Sequence, residues 1–192
     1  MSLDYPFIIE DVLPIKKFTA LRDEFVDGWT LTNHSVDKTS YDQSKNFWGI
    51  GEQNTLPIMD AAVITKLKVQ KYLKTNLRLI KCHINGQTFG QTGRFHIDFR
   101  KDNIWTFVLF CADYWETNWG GEFVCYNPVQ NKYRYVPYIP NSGCLIPSNW
   151  DHYGSSPNQM GILRTSLAFG FCDSRIPITS LIPDHNYIKK FL

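Results

Sequence analysis

The sequence predicts a mainly β fold, a sandwich, barrel or jelly roll, with helices packed on one outer face. Short β-rich stretches alternate with turn-forming residues from residue 77 onward, and two stretches of helical periodicity precede them. A length of 192 residues suits one domain with its own core. We therefore expect a single domain over 1–192, with helical N-terminal support over 1–76, a β core over 77–175 and a C-terminal tail over 176–192.

The N-terminal part is predicted to contain two helices. Pro14 can open the first, which ends near Gly28 and carries apolar residues at helical spacing, namely Ile15, Phe18, Leu21 and Phe25. The second helix is predicted from Pro57 to about Asn76, and its cationic last turns suit the negative end of the helix dipole. The intervening segment Thr30–Thr55 is polar and is predicted to be irregular, with Trp48 as an anchor.

Seven strands are predicted in the second part of the chain. Turn signals such as Asn127-Pro128 separate short runs rich in β-branched and aromatic residues. Runs at this spacing are typical of all-β sandwiches, barrels and jelly rolls. The predicted strands are Leu77–Ile84, Arg94–Phe99, Ile104–Ala112, Glu122–Tyr126, Lys132–Val136, Gly143–Ile146 and Leu163–Phe171.

Composition excludes several function classes. The net charge of +2 gives no electrostatic case for a nucleic-acid or membrane partner. The five cysteines form no Cys-x-x-Cys pair, so no zinc ribbon or thioredoxin-like motif is present. An odd cysteine count without an apolar leader leads us to expect a reducing cytoplasm. The oligomeric state is left open.

One short segment carries the pattern of a metal site. Residues two apart in a strand point to the same face, so His96 and Asp98 would project together. His152, which follows a strand and a turn, is the best candidate for a third ligand. Two His and one carboxylate leave three positions of an octahedral ion open, the arrangement of non-haem Fe(II) oxygenases. The triplet alone also allows a surface His beside a solvated Asp.

A second alternating stretch places Arg164, Ser166 and Ala168 on one face of a strand. An inward Arg is costly unless an anion meets it. A dicarboxylate cosubstrate would supply that anion through a bidentate Arg–carboxylate pair. The alternative is an Arg at a strand end that pairs with an Asp or Glu.

The ordered set His96-x-Asp98, His152 and Arg164 with Ser166 resembles the 2-oxoglutarate/Fe(II)-dependent oxygenase superfamily, and within it the prolyl 4-hydroxylase-like branch. The stretch 119–123 is similar to the Gly-Gly-Glu strand opening of that branch, and 146–152 to its turn before the distal His. The resemblance covers roughly residues 77–172 and implies a double-stranded β-helix (jelly-roll) barrel. It implies iron ligands His96, Asp98 and His152, with Arg164 and Ser166 on the far carboxylate of 2-oxoglutarate.

The resemblance implies a dioxygenase that uses Fe(II), 2-oxoglutarate and O2, is compatible with ascorbate, and hydroxylates a C–H bond with release of succinate and CO2. A peptidyl or free amino-acid side chain, with proline first, is the implied substrate. Two alternatives stay open: the same chemistry on a nucleobase or small metabolite, and a non-catalytic cupin-like or structural jelly-roll binding protein. No catalytic residue beyond the metal ligands is implied.

The chain departs from the family pattern at two places. Family members often carry a Tyr where this chain has His83, which either bonds the cosubstrate or is an ordinary strand His. No phenol is present on the next strand, over Thr106–Phe110. The turn-rich segment 85–93 is either a loop at the pocket mouth or a plain connection. Four aromatic residues could either line the substrate pocket or belong to the core: Trp115, Trp119, Trp150 and Tyr153.

Overall fold

The computed structural model describes residues 4–32, 47–50 and 55–181. These ranges contain ten strands, two α-helices and short 3-10 turns at Thr117–Trp119 and Ile178–Ser180. The helices are α1 (Ile15–Asp23) and α2 (Leu56–Leu73). The strands are β1 (Phe7–Ile9), β2 (Trp29–Thr32), β3 (Phe47–Ile50), β4 (Leu77–Gln87), β5 (Ile104–Phe110), β6 (Phe123–Asn127), β7 (Lys132–Val136), β8 (Gly143–Pro147), β9 (His152–Gly154) and β10 (Arg164–Asp173).

The strands form two antiparallel sheets. The major sheet has the order β1-β8-β5-β10-β4-β3-β2, and the minor sheet has the order β7-β6-β9. Side chains alternate between the faces of each strand, so the major sheet serves two apolar layers. On β10, Leu167 and Phe169 pack with α1 and α2, whereas Ala168 packs with the minor sheet. The predicted fold class, a mainly β jelly roll with N-terminal helices on one outer face, is confirmed.

The layer between the sheets is the barrel interior that receives the site. Its apolar lining comes from both sheets and comprises Val108, Phe110, Phe123, Cys125, Val136, Tyr138, Cys144, Ile146, Trp150 and Ala168. Burial of apolar side chains from both sheets stabilises their face-to-face packing. The polar residues of the site therefore lie against apolar side chains. In such an environment the effective dielectric constant is low, so charges in the site interact strongly with one another.

Both predicted helices are present but shorter than expected. In α1, Phe18 and Leu21 are buried, while Ile15 is 71% exposed and takes no part in the apolar face. The helix ends at Asp23, before Gly28, which has a left-handed φ of +75°. In α2, Lys74 adopts the left-handed conformation and ends the helix ahead of Asn76. No helix in the described ranges is long and apolar enough to cross a membrane.

The prediction of an irregular segment over Thr30–Thr55 was wrong where it can be compared. Residues of β2 and β3 pair with each other, and β3 continues the major sheet beside Asn85 and Gly86 of β4. Aromatic and β-branched side chains such as Trp29 and Trp48 suit this half-buried edge. The rest of the predicted segment, residues 33–46 and 51–54, lies outside the described residues, as do residues 182–192 of the predicted tail.

The prediction of a strand over Arg94–Phe99 was also wrong. This segment makes one isolated bridge, between His96 and His152. The backbone N–H groups of Asp98 and Phe99 both donate to the Ser148 carbonyl, at 3.0 and 3.2 Å. Two consecutive donors on one acceptor bend the chain and end the ladder, because strand pairing needs alternate donors. Among the other predicted strands, Lys132–Val136 has the same bounds as the observed β7. The short strands β1 and β9 were not predicted.

Candidate metal and cosubstrate site

Three ligand-bearing side chains converge in the barrel interior. The potential ligand atoms of His96, Asp98 and His152 all lie within 4.8 Å of one another. His152 Nε2 is 3.6 Å from Asp98 Oδ2, and His96 Nε2 is 4.0 Å from Asp98 Oδ1. Reciprocal backbone hydrogen bonds of 3.1 and 2.9 Å between His96 and His152 hold the segment of His96 against the start of β9. The structure thus brings together the three residues that the sequence analysis selected.

Hydrogen bonds at the far side of each imidazole orient its ring. His96 Nδ1 lies 2.9 Å from the Arg94 carbonyl, and His152 Nδ1 lies 2.8 Å from the Trp150 carbonyl. When Nδ1 carries the proton and donates it to a carbonyl, the Nε2 lone pair is left for a metal. Both Nε2 atoms face Asp98, so the two rings present their ligating nitrogens to one point.

Asp98 is almost fully buried and both of its oxygens accept hydrogen bonds. Thr106 Oγ1 donates to Oδ2 at 2.6 Å, and Lys81 Nζ donates to Oδ1 at 2.5 Å. Thr106 Oγ1 is also 2.9 Å from Ser148 Oγ, which fixes the rotamer of the threonine. The hydrogen bond from Thr106 holds the carboxylate in one orientation before a metal binds.

The electrostatics prepare the triad for a cation. Burial opposes ionisation of Asp98, but the charge and hydrogen bond of Lys81 and the two imidazoles outweigh it, so the pKa of Asp98 lies far below its usual range. Burial, together with repulsion from His96, lowers the pKa of His152 to about 4 despite the attraction of Asp98. At neutral pH the site therefore offers an ionised carboxylate and a neutral buried imidazole, the protonation states that a metal requires.

Arg164 lies at the other end of the interior with only 2% of its surface exposed. Its Nε donates to the Gly121 carbonyl at 2.7 Å, and its Nη1 donates to Gln87 Oε1 at 2.9 Å. Ser166 Oγ is a longer contact of Nη1, at 3.4 Å. Nη2 is buried and has no hydrogen-bond partner among the described residues. The guanidinium is thus fixed on two sides and keeps one unpaired donor group.

No carboxylate of the described residues forms an ion pair with Arg164. Burial lowers its pKa from the usual value, and Glu122 is the weakest of the groups that oppose this effect. The ring of Tyr138 lies 5.1 Å from the guanidinium carbon and that of Phe110 lies 5.8 Å away. A buried cation without a counter-ion is costly, and a bound carboxylate would remove both this cost and that of the unpaired Nη2.

Strand β4 joins the two halves of the site. Its residues Lys81, His83 and Gln87 share one face because they alternate along the strand. Lys81 contacts Asp98 at the metal end, and Gln87 contacts Arg164 at the other end. His83 lies between them, opposite Ala168 in the strand register. Its role toward a cosubstrate stays a prediction, as do those of Arg164 and Ser166.

The remaining predicted site residues take different places. Trp150 is buried in the core between the sheets, and Trp115 packs on Tyr138 with its ring centroid 4.3 Å away. Trp119 lies against Trp115, at 5.6 Å, and Tyr153 lies against Phe95, at 4.7 Å.

Within the turn-rich segment 85–93, residues 85–87 belong to β4, and the Gln87 amide nitrogen donates to the carbonyls of Gln91 and Gly154. This segment therefore connects the Arg164 end to the metal loops.

Sequence reasoning missed four polar residues that support the site: Lys81, Gln87, Thr106 and Ser148. A signal for two of them was present. Lys81 is a polar residue in the predicted strand Leu77–Ile84, and Thr106 is a lone threonine in the apolar run of β5, a pattern that marks side chains facing the interior. Gln87 lies beyond the predicted strand and Ser148 lies in a turn, so neither carries such a signal.

The donor set fits a divalent transition metal. Two imidazole nitrogens and one carboxylate oxygen form the facial arrangement used by non-haem iron, and they leave positions for further ligands. The unpaired Nη2 of Arg164 fits one end of a dicarboxylate whose other end would reach the metal. Both observations agree with Fe(II) and 2-oxoglutarate as the groups that this interior can hold.

Comparison with known proteins supports the fold. No protein-family model and no curated sequence matches the chain. A prolyl-4-hydroxylase from Pseudomonas putida superposes with a TM-score of 0.62 at 16% identity, over 87% of this chain and 91% of that one. A prolyl hydroxylase from Trichoplax adhaerens, in complex with a hypoxia inducible factor peptide, gives 0.61 at 15% identity, over 88% and 84%.

HygX from Streptomyces hygroscopicus, with nickel, 2-oxoglutarate and hygromycin B bound, gives a TM-score of 0.64 at 11% identity, over 88% of this chain and 83% of that one. At such identities the likeness shows a shared fold. The resemblance to the 2-oxoglutarate/Fe(II) oxygenases that the sequence motifs indicated is thus confirmed at the level of the fold.

Proposed function

We propose that this protein is an Fe(II)- and 2-oxoglutarate-dependent dioxygenase that hydroxylates a C–H bond of its substrate. The observation that carries the proposal is that one interior holds both a set of three potential metal ligands and a buried donor group with no acceptor among the described residues. His96, Asp98 and His152 offer a cation three ligands, and Arg164 offers an anion an unpaired buried donor. A chelating dicarboxylate bound to iron satisfies both sites at once.

Each residue has a defined task in this function. When bound, iron with 2-oxoglutarate and O2 supplies the oxidation, which releases succinate and CO2 and leaves a hydroxyl on the substrate. The three ligands hold the metal, and Thr106 keeps Asp98 oriented. Arg164 fixes the far carboxylate of the cosubstrate, and the apolar lining between the sheets excludes water around it.

For the substrate, we propose an amino-acid side chain, with proline the first to test. The support is the shared fold with two prolyl hydroxylases. A small metabolite is the second candidate, because HygX, which shares the fold, was solved with hygromycin B. A non-catalytic jelly roll is disfavoured, because the buried Nη2 of Arg164, unpaired among the described residues, would then only destabilise the fold.

The test is cofactor binding followed by turnover. Under anaerobic conditions, protein loaded with Fe(II) should develop a weak visible charge-transfer band when 2-oxoglutarate is added. Asp98→Ala should abolish the band while the fold persists by circular dichroism. A flat spectrum together with no calorimetric binding of 2-oxoglutarate would refute the proposal. A screen of peptides, amino acids and nucleotides for stimulated succinate formation would then separate the substrate classes.

A further inference from the structure

Lys81 is a cation that the iron and 2-oxoglutarate site does not require. Its side chain is 22% exposed and reaches Asp98 Oδ1 at 2.5 Å, so it lies at the metal pocket and is open to solvent. Thr106 already orients the same carboxylate through its other oxygen. The hydrogen bond from Lys81 is therefore not needed to orient Asp98 for a metal.

The charges of the loaded site balance without this lysine. The two positive charges of Fe(II) and the one of Arg164 equal the two negative charges of 2-oxoglutarate and the one of Asp98. This balance includes the groups that would contact the metal or the cosubstrate. Once a dication shares Asp98, Lys81 keeps a positive charge beside another positive charge, and no described carboxylate other than Asp98 forms an ion pair with it.

The position of Lys81 separates it from the cosubstrate end. Lys81 and Gln87 lie on the interior face of β4 with His83 and Asn85 between them, so they belong to different ends of the site. Gln87 contacts Arg164, so the dicarboxylate would occupy the stretch between Arg164 and the metal. Lys81 lies at the metal end, beside Asp98, and its 22% exposed side chain can be reached by a molecule that enters from solvent.

We propose that Lys81 binds an anionic group of the primary substrate, a carboxylate in the first instance. Resting on the proposed function, this inference narrows it: the primary substrate carries a carboxylate, as an amino acid with a free acid group or another small carboxylic acid does. Before metal binding Lys81 neutralises Asp98, and in the loaded protein it anchors the acid group beside the metal.

The experiment uses the full chain loaded with Ni(II) and 2-oxoglutarate, which blocks turnover. Calorimetry compares a panel of N-acetyl amino acids with the matching carboxamides, which have the same shape and no charge. In at least one pair the acid should bind wild-type protein roughly tenfold more tightly than the amide. Lys81→Met should abolish this preference, and Lys81→Arg should keep it. Lys71→Met, an exposed lysine on α2, is the matched control and should behave as wild type.

A second measurement tests the competition between Lys81 and the metal. Lys81→Met should bind Ni(II) several-fold more tightly, because it removes a cation from the metal carboxylate. Weaker Ni(II) binding in Lys81→Met would assign Lys81 to the orientation of Asp98 and overturn the inference. Equal binding of acids and amides by wild-type protein that holds both nickel and 2-oxoglutarate would overturn it as well. Wild-type protein that binds neither would refute the proposed function, and the inference with it.

Discussion

Replacing Arg164 with methionine should separate cosubstrate binding from metal binding. Methionine fills a similar apolar volume but lacks the unpaired Nη2 that we assign to the far carboxylate of 2-oxoglutarate. The lost charge-assisted hydrogen bonding is worth about 3 kcal/mol, which corresponds to roughly 150-fold in the dissociation constant. Affinity for Ni(II) should stay within about threefold, because the guanidinium contacts none of the three proposed ligands.

The stability of the metal-free variant provides the control. Arg164→Met leaves the Gly121 carbonyl and Gln87 Oε1 without their donor, which destabilises the protein. It also removes a buried charge without a counter-ion, which stabilises it. The two effects oppose each other, so we expect the free energy of unfolding to change by about 1 kcal/mol or less. Arg164→Lys keeps the charge without the planar fork and should lose about tenfold in 2-oxoglutarate affinity.

The assays are calorimetric titrations of 2-oxoglutarate and, separately, of Ni(II), with urea unfolding of the metal-free protein. Equal losses of nickel and 2-oxoglutarate affinity would mean that Arg164 supports the structure of the whole site. Unchanged 2-oxoglutarate affinity would refute the assignment of Nη2 to the cosubstrate. Either result would require another explanation for a buried arginine that forms no ion pair within the described part of the chain.

Three further predictions test the groups around the site. Thr106→Val keeps the shape but removes the donor to Asp98, so Ni(II) affinity should fall roughly tenfold in calorimetry, and an unchanged affinity would contradict its orienting role. Gln87→Glu places a carboxylate beside Arg164, so 2-oxoglutarate affinity should fall at least tenfold with Ni(II) affinity kept, whereas Gln87→Met should lose less. In metal-free protein the pKa of His152 is lowered to about 4, so as the pH falls this histidine is protonated in the unfolded chain before it is protonated in the folded protein. Stability should therefore be full above about pH 6.5 and fall by about 3 kcal/mol toward pH 4 in urea unfolding, and His152→Gln should flatten this decline.

The overall architecture was predictable because it follows from local patterns. Short β-rich runs with turn signals between them predict the strands of the barrel, and Lys132–Val136 even has the observed bounds. The helical periodicity of Phe18 and Leu21 predicts the helix that covers the major sheet. These signals depend on neighbours in the sequence, which a single chain displays directly.

The errors lie where tertiary contacts override local preference. The alternation around His96 is typical of a strand, but the Ser148 carbonyl accepts two consecutive N–H groups there and bends the chain. His96 and Asp98 still lie close together, as predicted. Their placement depends on the single bridge between His96 and His152 and does not require a strand ladder. The edge strand β2 and its neighbour β3 are short and are not joined by a tight turn, so no local turn signal marks them.

The support of the site was the least predictable part. Lys81, Gln87 and Thr106 are ordinary polar residues in the sequence, and what identifies them is the partner that each one contacts. Alternation on β4 puts two of them on the interior face, but their partners come from residues 98 and 164. Spacing along the sequence carries no information about such pairs, because the fold creates the contact.

Two glycines lie beside Arg164, and one of them, Gly121, gives the Gly-Gly-Glu motif a physical reason. Gly121 has a φ of +80°, and a Cβ there would lie 2.7 Å from the Trp115 ring and 3.3 Å from Arg164 Cδ. A Cβ at Gly154 would lie 2.7 Å from Gln87 Oε1 and 3.1 Å from Arg164 Nη1. Both backbones thus approach the guanidinium more closely than any side-chain-bearing residue allows. This close approach fixes Nε and Nη1, so the orientation of Nη2 is set before any carboxylate binds.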